Sequence, residues 1–229
     1  MAGMDYDPLN ILKGSEIFRL LPEAIVRDLA SAGRVERYEQ RTLLVSKGQR
    51  PGCLRYIVDG SLELLLSTTD GRVSSLPVAS GNWANWVACL GDTALPYELW
   101  SSKSSVCMAY PRQQVYSAIS KHPEALLKLI ELIGERLHLL VRWTLYATLH
   151  SPEQRLGHLL LIVSGAQSST SSPCREAAMT QEQIGQIGFG SRQRVARLLR
   201  NLEAKGLVQM SYGSVSVPSW ERLNRFVFD

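Results

Sequence analysis

Between Met179 and Val208 two helical patterns meet at a glycine-rich turn, and the second carries Arg192, Arg194, Arg197 and Arg200 with no acid before Glu203. A segment of this kind has the layout of a helix-turn-helix whose second member has an apolar underside and a cationic outer face. Thr180 is placed to cap the first helix, and Gln183, three residues on, can return a hydrogen bond to the cap, so that helix runs to about Ile187. Gly188 and Gly190 break it, and Ser191 can cap the next. On the second helix Val195, Leu198, Leu199 and Leu202 share one stripe. At about 100° per residue Gln193, Arg197 and Arg200 point away from that stripe, and Arg192 sits in the first turn.

Arginine donates two hydrogen bonds to guanine O6 and N7, and glutamine pairs in bidentate fashion with adenine. Arg192, Gln193 and Arg197 are therefore candidate base readers, with Arg200 on the same polar face. The plain alternative is a solvated basic surface helix. Against it stands the combination of cap, glycine turn and acid-free face with the run that follows. Gly206-Leu207-Val208 opens an alternating segment to Val217 with a Tyr212-Gly213 turn in its middle, which reads as a wing.

Thr180, Ile184-Gly185, Gly190, Ser191-Arg192, Val195, Arg197, Leu198, Leu202 and Gly206-Leu207 together resemble the winged-helix signature of the cyclic-AMP receptor protein/fumarate-nitrate regulator (CRP/FNR) superfamily of bacterial transcription regulators. The resemblance implies that Ser191, Arg192 and Arg197 touch DNA, that Thr180 lies near a phosphate, and that RNA polymerase is a partner. One departure matters. The family commonly has glutamate after the arginine, accepting from cytosine, and this chain has Gln193, so its half-site need not be the usual one.

The N-terminal half is organised differently. Short apolar runs, Leu54 to Val58, Leu62 to Leu66, Val73 to Val78 and Val106 to Tyr110, are punctuated by Asp59-Gly60, Asp70-Gly71 and Gly81, as in antiparallel hairpins closing into a roll. Ile17 to Ala32 reads as a helix preceding them. The fold class expected is α+β: a β-roll of the cyclic-nucleotide-binding type over residues 1–122, a dimerisation helix over 123–150, and a winged helix-turn-helix over 151–229. In the family the roll holds the effector.

Where the resemblance would place the glycine-glutamate and arginine-serine pairs that hold cyclic AMP, the chain reads Gly81-Asn82-Trp83-Ala84-Asn85-Trp86 and Pro96-Tyr97-Glu98. A cyclic phosphate there would meet a phenol and a carboxylate instead of a guanidinium, and a buried anion without a positive partner is strongly disfavoured. An effector other than cyclic AMP is expected, its identity open. Trp83, Trp86, Tyr97 and Trp100 are candidates to line its pocket with Asn85 as the polar contact; packing alone accounts for the same aromatics equally well. Leu140 and Val141 fall where nucleotide-binding relatives carry a threonine-serine pair facing adenine.

From Pro123 a long helical run places Leu126, Ile130, Ile133, Leu137, Leu140, Thr144 and Ala147 at 4-3 spacing, a heptad seam. Leu127, Leu132, Leu139 and Leu145 make other faces apolar as well. A homodimer follows, and two reading helices on a two-fold axis would meet a palindromic operator in double-stranded DNA. Ser151-Pro152-Glu153 starts a fresh helix and marks a hinge, and residues 164 to 175 form a polar low-complexity connection.

The net charge of +4, from 25 basic and 21 acidic residues, agrees with a nucleic-acid partner but is less telling than the clustered arginines. Cys53, Cys89, Cys107 and Cys174 contain no Cys-x-x-Cys, so neither a disulfide scaffold nor a metal site is indicated, and residues 1–52 lack the cysteines an iron-sulfur sensor needs. No cofactor is expected. Haem on one of His122, His138, His150 or His158, which would make the chain a gas sensor, is the less favoured reading. No nucleophile elbow, carboxylate pair or phosphate loop with its lysine is present, so no catalytic residues and no enzyme are expected. An effector-binding regulatory module that does not bind DNA is the alternative of a different class. With no signal-peptide core and no apolar stretch of about 20 residues, a cytoplasmic protein without membrane association is expected.

Overall fold

The computed structural model describes residues 6–165, 175–177, 179–211 and 213–229. Tyr212, Cys174 and most of the polar connection lie outside them. The chain forms two compact units, Met1–Leu65 with Val78–Glu135 and Leu66–Pro77 with Arg136–Asp229.

The first unit opens with α1 (Pro8–Gly14), capped by Asp7, whose carboxylate accepts from Leu9 N at 2.9 Å. The helix expected over Ile17 to Ala32 is interrupted: Phe18–Leu20 is a 3-10 turn and α2 spans Glu23–Ala32. The cause is Pro22, which forces Leu21 into extended backbone (φ −80°, ψ 151°). Strands β1 (Arg34–Tyr38), β2 (Thr42–Val45), β3 (Cys53–Asp59), β4 (Ser61–Ser67), β5 (Val73–Ala79) and β6 (Trp83–Ala84) follow, then helix α3 (Trp86–Gly91), β7 (Glu98–Ser101), β8 (Ser105–Pro111) and helix α4 (Arg112–Ser120). They form two antiparallel four-stranded sheets, β1-β8-β3-β6 and β2-β7-β4-β5.

The hairpins turn where the Asp-Gly pairs predicted, with Gly60 at φ 73° and Gly71 at φ 83°. Ile57, Ala84 and Cys107 of one sheet meet Val45, Leu62 and Leu99 of the other in a shared core, so the sheets close as a roll. A second core joins the helices to the outside of the roll through Phe18, Leu29, Met108, Tyr110 and Ile119. Helix α5 (Pro123–Tyr146) adds Ala125 and Leu129 to that core. Deep in the first sheet the Arg55 guanidinium donates to Glu36 Oε2 at 2.7 Å, and Tyr38 Oη donates to the same oxygen at 2.6 Å. Although desolvation opposes ionisation, these donors hold the Glu36 carboxyl below the usual carboxylate range.

In the second unit, α6 (Pro152–Gly165) supports β9 (Arg175–Ala177), α7 (Gln181–Ile184), α8 (Arg192–Ala204), β10 (Gln209–Ser211), β11 (Ser214–Val217) and α9 (Trp220–Phe228). The strands pair antiparallel in the order β10-β11-β9, a wing with Gly213 at φ 77° in its turn. Its first strand and α9 were not foreseen, although Ser219, which caps α9 through Arg222 N at 3.3 Å, and Leu223 and Val227 at helical spacing carried the signal.

Candidate nucleic-acid interface

The turn before α8 is built by glycine. Gly185 N–H and Ile184 continue the helical bonding of α7, and Gly190 N–H then donates back to Gly185 O at 3.2 Å. A Cβ on Gly185 would collide with the Gly190 carbonyl oxygen. Gly188 (φ 97°) and Gly190 (φ 89°) adopt backbone that L side chains rarely enter. Thr180 Oγ1 accepts from Gln183 N at 3.2 Å while Gln183 Oε1 accepts from Thr180 N at 2.9 Å, the reciprocal cap expected from the sequence. Ser191 Oγ accepts from Arg194 N at 3.4 Å and starts α8.

Val195, Leu198, Leu199 and Leu202 are buried against Leu156, Leu160, Ile184, Phe189 and Val215, which fixes the rotation of α8 about its axis. Ser191, Arg192, Gln193, Arg197 and Arg200 are exposed, as is Thr180 at the head of α7. Arg192, Gln193, Arg197 and Arg200 therefore form one outward cationic surface without a carboxylate among them. The C-terminal end of α8 is tied on two sides. Asn201 Nδ2 donates to Glu153 Oε1 at 2.7 Å, and Glu203 Oε1 accepts from Met210 N at 2.9 Å, which fastens the wing to the helix.

Beneath the interface lies an aromatic cluster that sequence reasoning missed as a unit. His158 on α6 is 1% exposed and meets Phe228 edge-on at 4.9 Å, Trp143 at 5.4 Å and His150 at 5.9 Å between ring centroids. His150 stacks on Tyr146 at 4.5 Å, and the Arg142 guanidinium lies 3.6 Å from the Phe228 ring centroid. Neither ring nitrogen of His158 finds a hydrogen-bond partner among the described residues. Burial, followed by the nearby His150 and Arg142, pushes its pKa down to about 4. The ring is a neutral packing element.

Within the first unit the aromatic residues expected around an effector divide between two cores. Trp83 packs among Phe18, Tyr56 and Tyr110 at ring separations of 5.1, 5.1 and 5.7 Å, with Trp86 against the same core. Tyr97 belongs to the separate core between the sheets. Asn85 is buried with φ 54°, and its Nδ2 donates to Cys53 O at 3.0 Å. Trp100 Nε1 donates to Glu98 Oε2 at 2.8 Å, under the Arg41 guanidinium at 4.3 Å. Leu140 and Val141 are exposed on α5. Leu126, Ile130, Ile133 and Leu137, with Leu140 and Thr144, form a continuous solvent-facing row on that helix, the apolar members each 39–58% exposed. His122 Nδ1 stands 2.6 Å from Ala118 O. Cys53, Cys89 and Cys107 are free thiols, and burial raises Cys89 to about 11 and Cys107 to about 12. Among the described residues no cluster of three or more His, Cys, Asp or Glu could hold a metal, and no helix is long and apolar enough to cross a membrane.

Residues 154–226 match the family model of the Crp-like helix-turn-helix domain, which spans α6 through most of α9. Over that stretch the chain carries a Crp-like helix-turn-helix domain. It is 23% identical over 181 residues to the cAMP-activated global transcriptional regulator CRP of Salmonella typhimurium, covering 76% of this chain and 84% of that protein. The fold is shared with FixK2 from Bradyrhizobium japonicum (TM-score 0.65, 13% identity, covering 84% of this chain and 96% of that one). It is also shared with a putative cyclic nucleotide binding protein from Ruegeria pomeroyi (TM-score 0.61, 18% identity, 97% and 98%). The similarity to a transcriptional regulator thus extends beyond the helix-turn-helix domain to 76% of the chain.

Proposed function

We propose that the protein is a homodimeric regulator whose two α8 helices enter successive major grooves of a palindromic operator. The observation that carries this reading is the geometry of α8: a serine-capped helix, locked by a fully buried underside, that turns Arg192, Gln193, Arg197 and Arg200 outward. Arg192, Gln193 and Arg197 read base edges, while Ser191, Arg200 and Thr180 contact the backbone. The exposed row Leu126, Ile130, Ile133, Leu137 and Leu140 is the dimer seam, since an apolar stripe of heptad spacing on a 24-residue helix is stable in water only when covered. RNA polymerase is the further partner expected of such a regulator.

Cyclic AMP is not its effector. Asn85 is engaged by Cys53, Glu98 is engaged by Trp100, and the sequence from Gly81 to Glu98 holds no arginine or lysine to meet a cyclic phosphate. No resident cofactor is proposed, haem included. An effector of other chemistry would act by favouring one arrangement of the dimer over another.

The test is selection of DNA fragments by the purified protein from a genomic pool, with and without cell extract. The expected result is a palindrome with half-sites about one helical turn apart. Enrichment of no common sequence under either condition would overturn the reading in favour of a regulatory module that leaves DNA alone.

A further inference from the structure

Three buried imidazole nitrogens in the second unit have no partner: both ring nitrogens of His158 and Nδ1 of His150 form no hydrogen bond among the described residues. A neutral imidazole carries one N–H donor and one acceptor. His158, set against Phe228 and Trp143, therefore leaves two polar groups unused where a phenylalanine would leave none. The rings also tie three elements together. Tyr146, at the end of α5, stacks on His150 and meets Phe228 of α9 at 5.4 Å, and Phe228 in turn meets His158 of α6.

Charge decides what those rings do in acid. From Arg136 to His150 the sequence has no acid, and Arg142 of α5 holds its guanidinium 3.6 Å from the Phe228 ring centroid. The single acid of α6, Glu153, is taken by Asn201 at 2.7 Å and Lys205 at 3.7 Å, and Arg155 of the same helix lies against Phe189. On α9, Arg222 and Arg225 add positive charge, while Glu221 and Asp229 are exposed and form no ion pair among the described residues. A proton on either histidine therefore joins Arg142 with no carboxylate to offset it, in a desolvated setting. Burial first, then His150 and Arg142, pushes His158 down to about 4, and burial with Arg142 lowers His150, from an ordinary value of 6.5 for both. Each ring binds its proton more readily when the packing is open, so closure is at full strength above pH 6.5 and is lost as the pH falls toward 4. Val195, Leu198, Leu199 and Leu202 under α8 carry no such group.

We propose that His150 and His158, set beside Arg142, form an acid-released joint: when the two rings charge, the end of α5 lets go of α6 and α9 while the helix-turn-helix stays folded. Released, the end of α5 would no longer be fastened to α6, so acid would uncouple the proposed dimer seam from the DNA-reading helix. That consequence rests on the function proposed above, whereas the joint itself rests on the second unit alone.

The test follows amide hydrogen exchange of the full-length protein between about pH 7.5 and about pH 4.5, corrected for the intrinsic pH dependence of exchange. The reporters are the amides of Leu149 and His150, which donate to Tyr146 O at 3.1 and 2.9 Å, with those of α9; the amides of α8 are the control. Linkage weakens closure by up to about tenfold per pH unit for each proton taken up. Protection of the reporters should therefore fall by about tenfold for one proton, and up to about 100-fold for two, between about pH 6 and about pH 5, while α8 stays protected. H158F should remove one proton's share of that fall, and H150F combined with H158F should abolish it. Should these variants melt below the wild type, the ring-proton signals of His158 in the unaltered protein carry the test. A midpoint well below 6.5 that moves together with the loss of protection is expected, and an ordinary midpoint near 6.5 with the reporters still protected would overturn the joint. Loss of protection that spreads to α8 in step would also overturn it, as acid unfolding of the whole domain. Reporters that stay protected throughout the acid range, or that lose protection equally in the doubly substituted protein, would overturn it as well.

Discussion

α8 and α3 are both helices begun by a polar residue next to a glycine-containing segment, and they do opposite things. Ser191 caps α8 from extended backbone (φ −65°, ψ 154°), and every polar residue on the outer face beyond it looks into solvent. Asn85 begins α3 from the left-handed region, gives no side-chain cap, and spends its amide on Cys53 O. The residues around it, Trp83 and Trp86, are absorbed into packing. One helix offers its chemistry outward and the other turns it inward. A site of the first kind depends on local spacing; a site of the second kind depends on which distant strands close over it.

The sharpest way to break this contrast is at the turn. Gly185→Val places branched carbons against the Gly190 carbonyl and should destabilise the second unit by about 3 kcal/mol, read as a lowered urea midpoint. An unchanged midpoint would mean that the turn is not held by the Gly185–Gly190 closure.

Acid should act almost as strongly. His158 has an ordinary pKa of 6.5 and a folded-state pKa of about 4, so the unfolded chain binds the proton more readily. Its contribution to stability is at full value above pH 6.5 and declines as the pH falls from 6.5 to about 4, by up to about 3 kcal/mol. His158→Phe should flatten that part of the stability–pH curve, and retention of the full decline in this variant would assign the effect to other groups. In the first unit, Trp83→Ala should remove about 3 kcal/mol while leaving the half-site preference of the folded protein unaltered. A changed preference would show that the inward-facing cluster communicates with the interface.

Smaller effects distinguish reading from support. Arg192→Ala should cost about 1–3 kcal/mol of discrimination at one base position, measured as the ratio of affinities for selected and substituted half-sites, with the melting temperature unchanged. Ser191→Ala should lower stability by about 1 kcal/mol through loss of the cap and weaken all DNA sequences alike. If Ser191→Ala relaxed sequence preference as Arg192→Ala does, the division between the helix crest and its cap would fail.

The same contrast explains what was legible in the sequence. The caps at Thr180 and Ser191, the breaks at Gly188 and Gly190, the stripe from Val195 to Leu202 and the Asp-Gly hairpins are fixed within a few residues, and each stands where its spacing placed it. Pro22, also a local signal, prevails over the apolar periodicity around it, so the early helix is shorter than that periodicity implies. The distribution of Trp83 and Tyr97 between two cores follows from which sheet each residue's segment joins, a pairing across tens of residues that no local pattern encodes. The meeting of His150 with His158 and Phe228 likewise needed the segment after α5 to converge with α6 and α9.

One bond has a mechanical corollary. Because the Glu203 carboxylate receives the amide of Met210, the end of α8 and strand β10 of the wing are coupled like two blades on one handle. In the proposed complex, a tilt that withdraws α8 from a groove would carry β10 with it, so that helix and wing would leave the duplex together.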